Sequence, residues 1–154
     1  MRILDFCDSN FLKEDVVEYL FEVNKDFKPS LVQRLGIKSN VKTIDDYVNK
    51  LITHGIIKIC EINSEISGLI CFYANDLNNK VAYIPILTVK SKYVKRKIGS
   101  LLVNEAINHV RQHNFKVIKV ETWSENIAAL SLYQKNGFII EKVQNENISL
   151  ICTL

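Results

Sequence analysis

Two short runs of this chain hold residue types that could do chemistry. The first is Lys90, Lys92, Lys95, Arg96 and Lys97, five cations within eight residues. Clustered cations attract an anion. This run stands at the start of a helical pattern, whose first N–H groups also favour negative charge. A solvated basic loop is the plain alternative. The second run is residues 126–138, Asn-Ile-Ala-Ala-Leu-Ser-Leu-Tyr-Gln-Lys-Asn-Gly-Phe. Asn126 is a helix-capping type. Ala128, Ala129, Leu130 and Leu132 are small or apolar, and Tyr133 brings a phenol seven residues after the Asn. Gly137-Phe138 ends the helix and begins a strand. An ordinary amphipathic helix with a glycine cap is the plain alternative here.

These residues need elements to hold them. Arg2–Phe6 reads as a short strand. Asp8-Ser9-Asn10 offers a helix cap, followed by Phe11, Leu12, Val16, Tyr19, Leu20 and Val23 at helical spacing. Phe27–Lys42 contains Pro29 and Gly36 and reads as a loop with a short helix around Leu31–Leu35. Thr43-Ile-Asp-Asp starts a second helix by a capping-box pattern, with Asp46 replacing the usual Glu. That helix runs to about His54, where Gly55 stops it. Strands are expected at Ile56–Ile62, Ile66–Ala74 and Val81–Val89, separated by turns at Asn63-Ser64-Glu65 and Asn75–Asn79. Arg96–His113 reads as a helix of about five turns, with Ile98, Leu102, Ala106 and Val110 on one face. Val117–Thr122 is a strand and Asn126–Asn136 a helix. Phe138–Val143 and Ile148–Thr153 are closing strands. An antiparallel meander followed by βαβ crossover units predicts an α/β (α+β) fold. Its central sheet is mixed and mostly antiparallel, of about six to seven strands, with helices on both faces.

Composition bounds the function. At 154 residues the chain suits one domain spanning 1–154. It is 47% hydrophobic and 24% charged, ordinary for a globular protein. No secretory leader pattern opens it, and no apolar run approaches the ~20 residues of a membrane span. A cytoplasmic protein with no membrane partner is expected. Cys7, Cys60, Cys71 and Cys152 are widely spaced in apolar settings and form no Cys-x-x-Cys pair, so they read as reduced, buried thiols. The net charge of +3 does not argue for nucleic acid. His109 and His113 form an i, i+4 pair without a third ligand nearby, so no metal is expected.

Taken in order, Asn126, Ala129, Leu132-Tyr133, Lys135 and Gly137-Phe138 resemble the C-terminal signature of the GCN5-related N-acetyltransferases, N-x-x-A-x-x-L-Y-x-K-x-G-F. The resemblance covers roughly residues 56–140, and the element order is similar too. It implies an acyl-CoA N-acyltransferase-like fold with acetyl-CoA as the cofactor. The activity implied is acetyl transfer by direct attack of a primary amine on the thioester. In this family the third meander strand leads into a loop Arg/Gln-x-x-Gly-x-Gly/Ala, whose backbone N–H groups hold the pyrophosphate of coenzyme A. The equivalent residues here are Val94-Lys95-Arg96-Lys97-Ile98-Gly99-Ser100. Gly99 matches, as do the apolar Ile98, Leu101 and Leu102. Val94 stands where Arg or Gln is usual, and Lys97 where the first Gly is usual. A Lys tolerates an unusual φ less well than Gly, which predicts an altered loop geometry. Lys97 also adds charge, and backbone donors survive any substitution except Pro. Cofactor binding through Lys95, Arg96, Lys97, Ile98, Gly99 and Ser100 is therefore expected to persist, weakened or re-angled.

The resemblance implies further roles. Leu87-Thr88-Val89 align with the segment that pairs with pantetheine, and a backbone N–H there would polarise the thioester carbonyl. Pro85 cannot donate a ladder hydrogen bond. It marks either a bulge facing the pantetheine gap or an edge-strand proline on a non-bonded side. Tyr133 would be the acid for the leaving thiolate, or a packing Tyr. Asn126 and Ala129 would line the cofactor, with Asn126 also capping its helix. Glu121, on the strand beside the channel, is the candidate base through water. Tyr83 and Asp76 are weaker ones. The acceptor side is expected from the N-terminal half: Phe27, Arg34, Tyr73, Asn75 and Tyr83, with Phe72 and Tyr73 alternating between core and cleft. This favours a small polar amine, such as an amino sugar or amino-acid derivative, with a peptide N-terminus left open. The apolar tail Ile148–Leu154 either ends a sheet or extends into a partner, which leaves a homodimer open. Two rival readings stand beside the enzyme. The altered loop motivates a non-catalytic acyl-CoA-binding or regulatory module. Residues 90–97 motivate a nucleic-acid binder only weakly, since no aromatic-interleaved basic face appears.

Overall fold

The computed structural model describes residues 1–27, 30, 31 and 43–154. Seven strands form one sheet: β1 Arg2–Asp5, β2 Ile56–Ile62, β3 Glu65–Asp76, β4 Val81–Val89, β5 Val117–Trp123, β6 Ile139–Gln144 and β7 Asn147–Thr153. Their order across the sheet is β1-β2-β3-β4-β5-β7-β6. Every neighbouring pair is antiparallel except β4 and β5. Among the described residues there is therefore one parallel crossover, where several were expected. β6 does not return beside β5; it pairs with β7 at the sheet edge. The apolar tail is β7, held between β5 and β6, so it completes the sheet from inside.

Helices cover both faces. On one lie α1 Lys13–Val23 and α2 Ile44–His54, packed through Val16, Leu20, Val48 and Leu51 onto Ile57, Ile59, Leu69 and Ile86. On the other, α3 Ile98–Gln112 buries Ile98, Leu102, Val103, Ala106, Ile107 and Val110 against Ile70, Phe72, Ile84 and Ile118. Residues at i, i+4, i+8 and i+12 share one helix face, so this stripe is the one read from the sequence. Each fully buried aliphatic side chain of this kind contributes about 1.5–3 kcal/mol.

Local chemistry sets the helix ends, with shifts from the expected positions. Ser9 does not cap α1. Its hydroxyl donates to the Phe6 carbonyl (2.8 Å) and accepts from Phe11 N–H (3.2 Å), closing a 3₁₀ turn at Phe6–Asp8. α1 begins later, at Lys13, where Asp15 reaches back to accept the Leu12 N–H at 2.7 Å. Thr43 does cap α2, its Oγ1 accepting from Asp46 N–H at 3.1 Å. The cationic run is not the start of the long helix. Ser91–Arg96 form a 3₁₀ turn, and α3 starts at Ile98.

The remaining helix, α4 Ile127–Lys135, explains the spacing of the second run. Asn126 Oδ1 accepts the Ala129 N–H (3.1 Å) at its start. At its end the Phe138 N–H donates to the Tyr133 carbonyl (3.0 Å) and the Gly137 N–H to the Gln134 carbonyl (3.3 Å). Gly137 has φ +94°, the left-handed turn this double bond requires. The Phe138 ring then lies edge-on to Tyr133 at 5.3 Å. The Gly-Phe pair is thus the device that locks the Tyr133 ring in place.

Candidate active site

The site begins with a fault in β4. Between the pairs Cys71↔Ile86 and Tyr73↔Tyr83, β3 advances two residues and β4 three. The extra residue is a β-bulge at Ile84–Pro85, where the proline has no N–H to lose. The bulge reverses the side-chain alternation. Ala82 and Ile84 face α3, whereas Ile86 faces α1 and α2. Pairing with β5 ends at the same point, since Ile84↔Val120 is the last matched pair. From Pro85 onward β4 keeps β3 on one side and no strand on the other. Of the two readings of Pro85, the bulge facing a gap is the one realised.

The gap opens a cleft of about 640 Å³. Leu87, Thr88 and Val89 form one wall. Trp123, Glu125, Asn126, Ala129 and Tyr133 form the opposite one, from the end of β5 through α4. Lys97, Gly99 and Ser100 close one end at the start of α3, and Val23, Asp26 and Phe27 approach from the end of α1. A Cβ on Gly99 would meet Leu132 Cδ2 at 3.0 Å, so the absent side chain lets α3 and α4 converge here.

The α3 N-terminus has the character of an anion site. No side chain caps it. The first backbone donor to find an intrahelical partner is Leu101 N–H, bonded to the Lys97 carbonyl at 3.1 Å. The N–H groups of the first turn ahead of it are those a helix leaves open to a ligand. Lys97 adopts φ 60°, ψ 21°, the left-handed conformation. Lys97 thus holds at the backbone a conformation that Gly adopts most readily, at a cost of about 1–2 kcal/mol.

The five cations do not act together. Lys92 Nζ lies 2.8 Å from Glu65 Oε1, and Lys90 lies 3.5 Å from Glu22 and 3.6 Å from Glu65. Tyr93 is buried and donates its hydroxyl to Glu65 at 3.0 Å. Hydrogen bonds from Lys92 and Tyr93 hold the Glu65 carboxyl at about 2. Arg96 stacks over the Tyr93 ring at 5.3 Å. Lys95, Arg96 and the buried Ile98 do not line the cleft; Lys97 alone of the run does. Of the six residues expected to hold the cofactor, Lys97, Gly99 and Ser100 line the cleft, while Arg96 turns to the Tyr93 ring.

Tyr133 is 4% exposed and lines the cleft. Asn126 spends Oδ1 on its helix cap, which leaves Nδ2 as the part of its side chain able to meet a ligand. Glu121 is the first β5 residue past the last β4 pair, with an exposed carboxylate on the side opposite the buried Val120 and Thr122. It does not line the cleft. Phe27 does. Arg34 lies outside the described residues.

The other acceptor-side candidates are not brought to the cleft. Tyr73 and Tyr83 are register partners on the paired half of the strands, and Tyr73 packs beside α2 instead of opening into the cleft. Burial pushes its hydroxyl up to about 12, helped by Cys71 and Tyr83. Asn75 donates to the His54 carbonyl at 2.8 Å and so terminates α2. Asp76 is held below its ordinary value by hydrogen bonds from Asn79, which makes it a turn residue and a poor base. His109 and His113 stack at 4.4 Å on the surface of α3, beside Phe72.

Sequence reasoning missed Trp123, Glu125 and Asp26. Asp26 carried one readable signal: it adjoins Phe27 where a helix ends. It also missed Tyr19, whose hydroxyl lies 2.8 Å from Thr88 Oγ1 in the interior.

Among the described residues, the sheet's one parallel pair parts beside an uncapped helix N-terminus, and the cleft lies between them. The chain matches the acetyltransferase (GNAT) family over residues 17–138. It belongs to that family. It is similar to N-alpha-acetyltransferase 30 of Xenopus laevis, 26% identical over 84% of this chain and 49% of that protein. Among solved structures it resembles a putative streptothricin acetyltransferase from Bacillus anthracis in complex with acetyl coenzyme A. That match has a TM-score of 0.60 and 28% identity, over 69% of this chain and 67% of the other. PaiA N-acetyltransferase from Thermoplasma acidophilum, in complex with coenzyme A, shares the fold with a TM-score of 0.77 at 19% identity, each chain covered in full. The chain spans about half or less of the length of the curated relatives it matches. No helix among the described residues is long and apolar enough to cross a membrane.

Proposed function

We propose that this chain transfers an acetyl group from acetyl-CoA to a primary amine of a small molecule. One observation carries the reading: β4 parts from β5 at the same cleft where the uncapped start of α3 opens. An extended pantetheine chain needs unpaired strand backbone, and a pyrophosphate needs helix N–H groups and a cation. Leu87–Val89 supply the first need; Lys97, Gly99 and Ser100 supply the second. The residues present fit the cosubstrate.

The reaction is a direct displacement. The amine nitrogen bonds to the carbonyl carbon, the C–S bond breaks, and the thiolate takes a proton. Tyr133, buried against the cleft, is the acid for that thiolate. Glu121 receives the amine proton through water. Asp26 and Glu125 put carboxylates on the cleft wall, which suits an acceptor carrying further positive charge. The four unpaired thiols suit a reducing, cytoplasmic setting.

A second acceptor class has its own support. The similarity to an N-alpha-acetyltransferase extends over most of the chain, which favours a peptide N-terminus. Calorimetry with acetyl-CoA comes first, and no binding at millimolar concentration removes the enzyme reading. Thiol release is then measured with an aminoglycoside, a polyamine, lysine amide and a short peptide with a free N-terminus. Release with a small amine supports the first class, and release with the peptide alone supports the second. Binding without release from any acceptor supports a non-catalytic acyl-CoA module.

A further inference from the structure

The hydroxyls of Tyr19 and Thr88 face each other at 2.8 Å, across the packing of α1 on β4. Tyr19 is 4% exposed and Thr88 7% exposed. Two hydroxyls carry two protons, and the bond between them uses one. Neither hydroxyl makes another hydrogen bond among the described residues. One O–H therefore needs an acceptor that the described residues do not supply.

The surroundings decide which one. Burial raises the Tyr19 phenol well above its ordinary range, outweighing the lowering by the Thr88 contact, with small increments from Glu22, Cys60 and Asp26. Tyr19 does not line the cleft; Thr88 does. If Thr88 donated to Tyr19, the phenol proton would be left buried without an acceptor, the costly arrangement. If Tyr19 donates to Thr88 Oγ1, the spare proton is the threonine's, at the cleft wall. The bulge at Pro85 creates this arrangement, since it turns Thr88 toward α1 on the parted half of β4.

We propose that Thr88 Oγ1 is a catalytic hydrogen-bond donor to the carbonyl oxygen of the acyl group, and that Tyr19 is the residue that positions it. This rests on the acetyltransferase reading above. As the amine nitrogen bonds to the carbonyl carbon, the π pair moves onto the oxygen, which accepts the Thr88 O–H. No proton is transferred at this atom. Return of the pair re-forms C=O as the C–S bond breaks. A donor aimed at developing charge acts on the transition state more than on the bound ground state.

The test uses the full chain with the panel amine that wild type turns over fastest. Thr88→Val is expected to lower kcat about 100-fold while the Kd for acetyl-CoA, read by calorimetry, stays within about threefold. Thr88→Ser should restore kcat to within about threefold of wild type. Tyr19→Phe should lower kcat about tenfold, and the double variant should be no slower than Thr88→Val alone, because the two act through one bond. Thermal melts accompany each variant, and Thr88→Ala carries the test if Thr88→Val does not fold. The proposal is overturned if Thr88→Val keeps kcat, if Thr88→Ser is as slow as Thr88→Val, or if the two losses multiply. A wild type that binds no acetyl-CoA, or turns over no panel amine, overturns the acetyltransferase reading as well. A wild type that does both, with an unimpaired Thr88→Val, overturns this proposal alone.

Discussion

β4 does two different things on either side of Pro85. Before it, Val81–Ile84 are ladder residues, matched to Val117–Val120 of β5, with Ala82 and Ile84 buried against α3. After it, Leu87–Val89 have similar apolar and β-branched character but no partner on the β5 side. Residue type does not separate the halves. One inserted residue does, because it breaks the register and reverses the faces at once. The half with both neighbours is held in the ladder, and the half with one neighbour lines the cleft.

The sharpest way to break this contrast is in the paired half. Ile84 is 1% exposed, and Ile84→Ala should cost about 2–5 kcal/mol. The urea midpoint would report it, while the Kd for acetyl-CoA of the folded protein stays within about threefold. A loss of binding without a loss of stability would mean the halves are not separate. In the parted half, Tyr133→Phe should reverse the pattern. Turnover is expected to fall about 100-fold, about 2.7 kcal/mol in the barrier, with cofactor affinity nearly intact. Unchanged turnover rejects the acid role and returns Tyr133 to the ring contact with Phe138.

The smallest effect is expected at the cleft's anion end. Lys97→Gly should relieve about 1 kcal/mol of left-handed strain and raise the melting temperature. It should also weaken acetyl-CoA binding about threefold to tenfold at low salt, a difference that shrinks in about 0.5 M salt. If binding tightens instead, the geometry of the loop matters there and the charge of Lys97 does not.

The elements whose signals are local were legible. Thr43 with Asp46, the α3 stripe and the Asn126 and Gly137-Phe138 ends of α4 all act over a few residues of sequence, so reading them needed no knowledge of the fold. Errors came where a local signal had a distant competitor. Lys90 and Lys92 looked like an anion patch beside Lys97, but Glu22 and Glu65 claim them. Asn75 looked like an acceptor contact, but the open carbonyl of His54 claims it. Tyr73 looked cleft-facing, but it packs half-buried beside α2.

The sequence by itself determined the family, through the 126–138 pattern, and nominated Tyr133, Gly99 and Leu87–Val89. The pattern itself is one of capping and helical spacing, carried by backbone sterics and hydrogen bonding within a turn or two; the roles of those residues came only with the resemblance. The tertiary structure alone decided which face of β4 each residue takes after Pro85. It alone put Lys97 at the cleft with its neighbours turned away, and it alone brought Tyr19 against Thr88, 69 residues apart in the chain. The register of a bulged strand and the packing of a helix on it are set by the whole sheet. No window of sequence contains the partners that decide them.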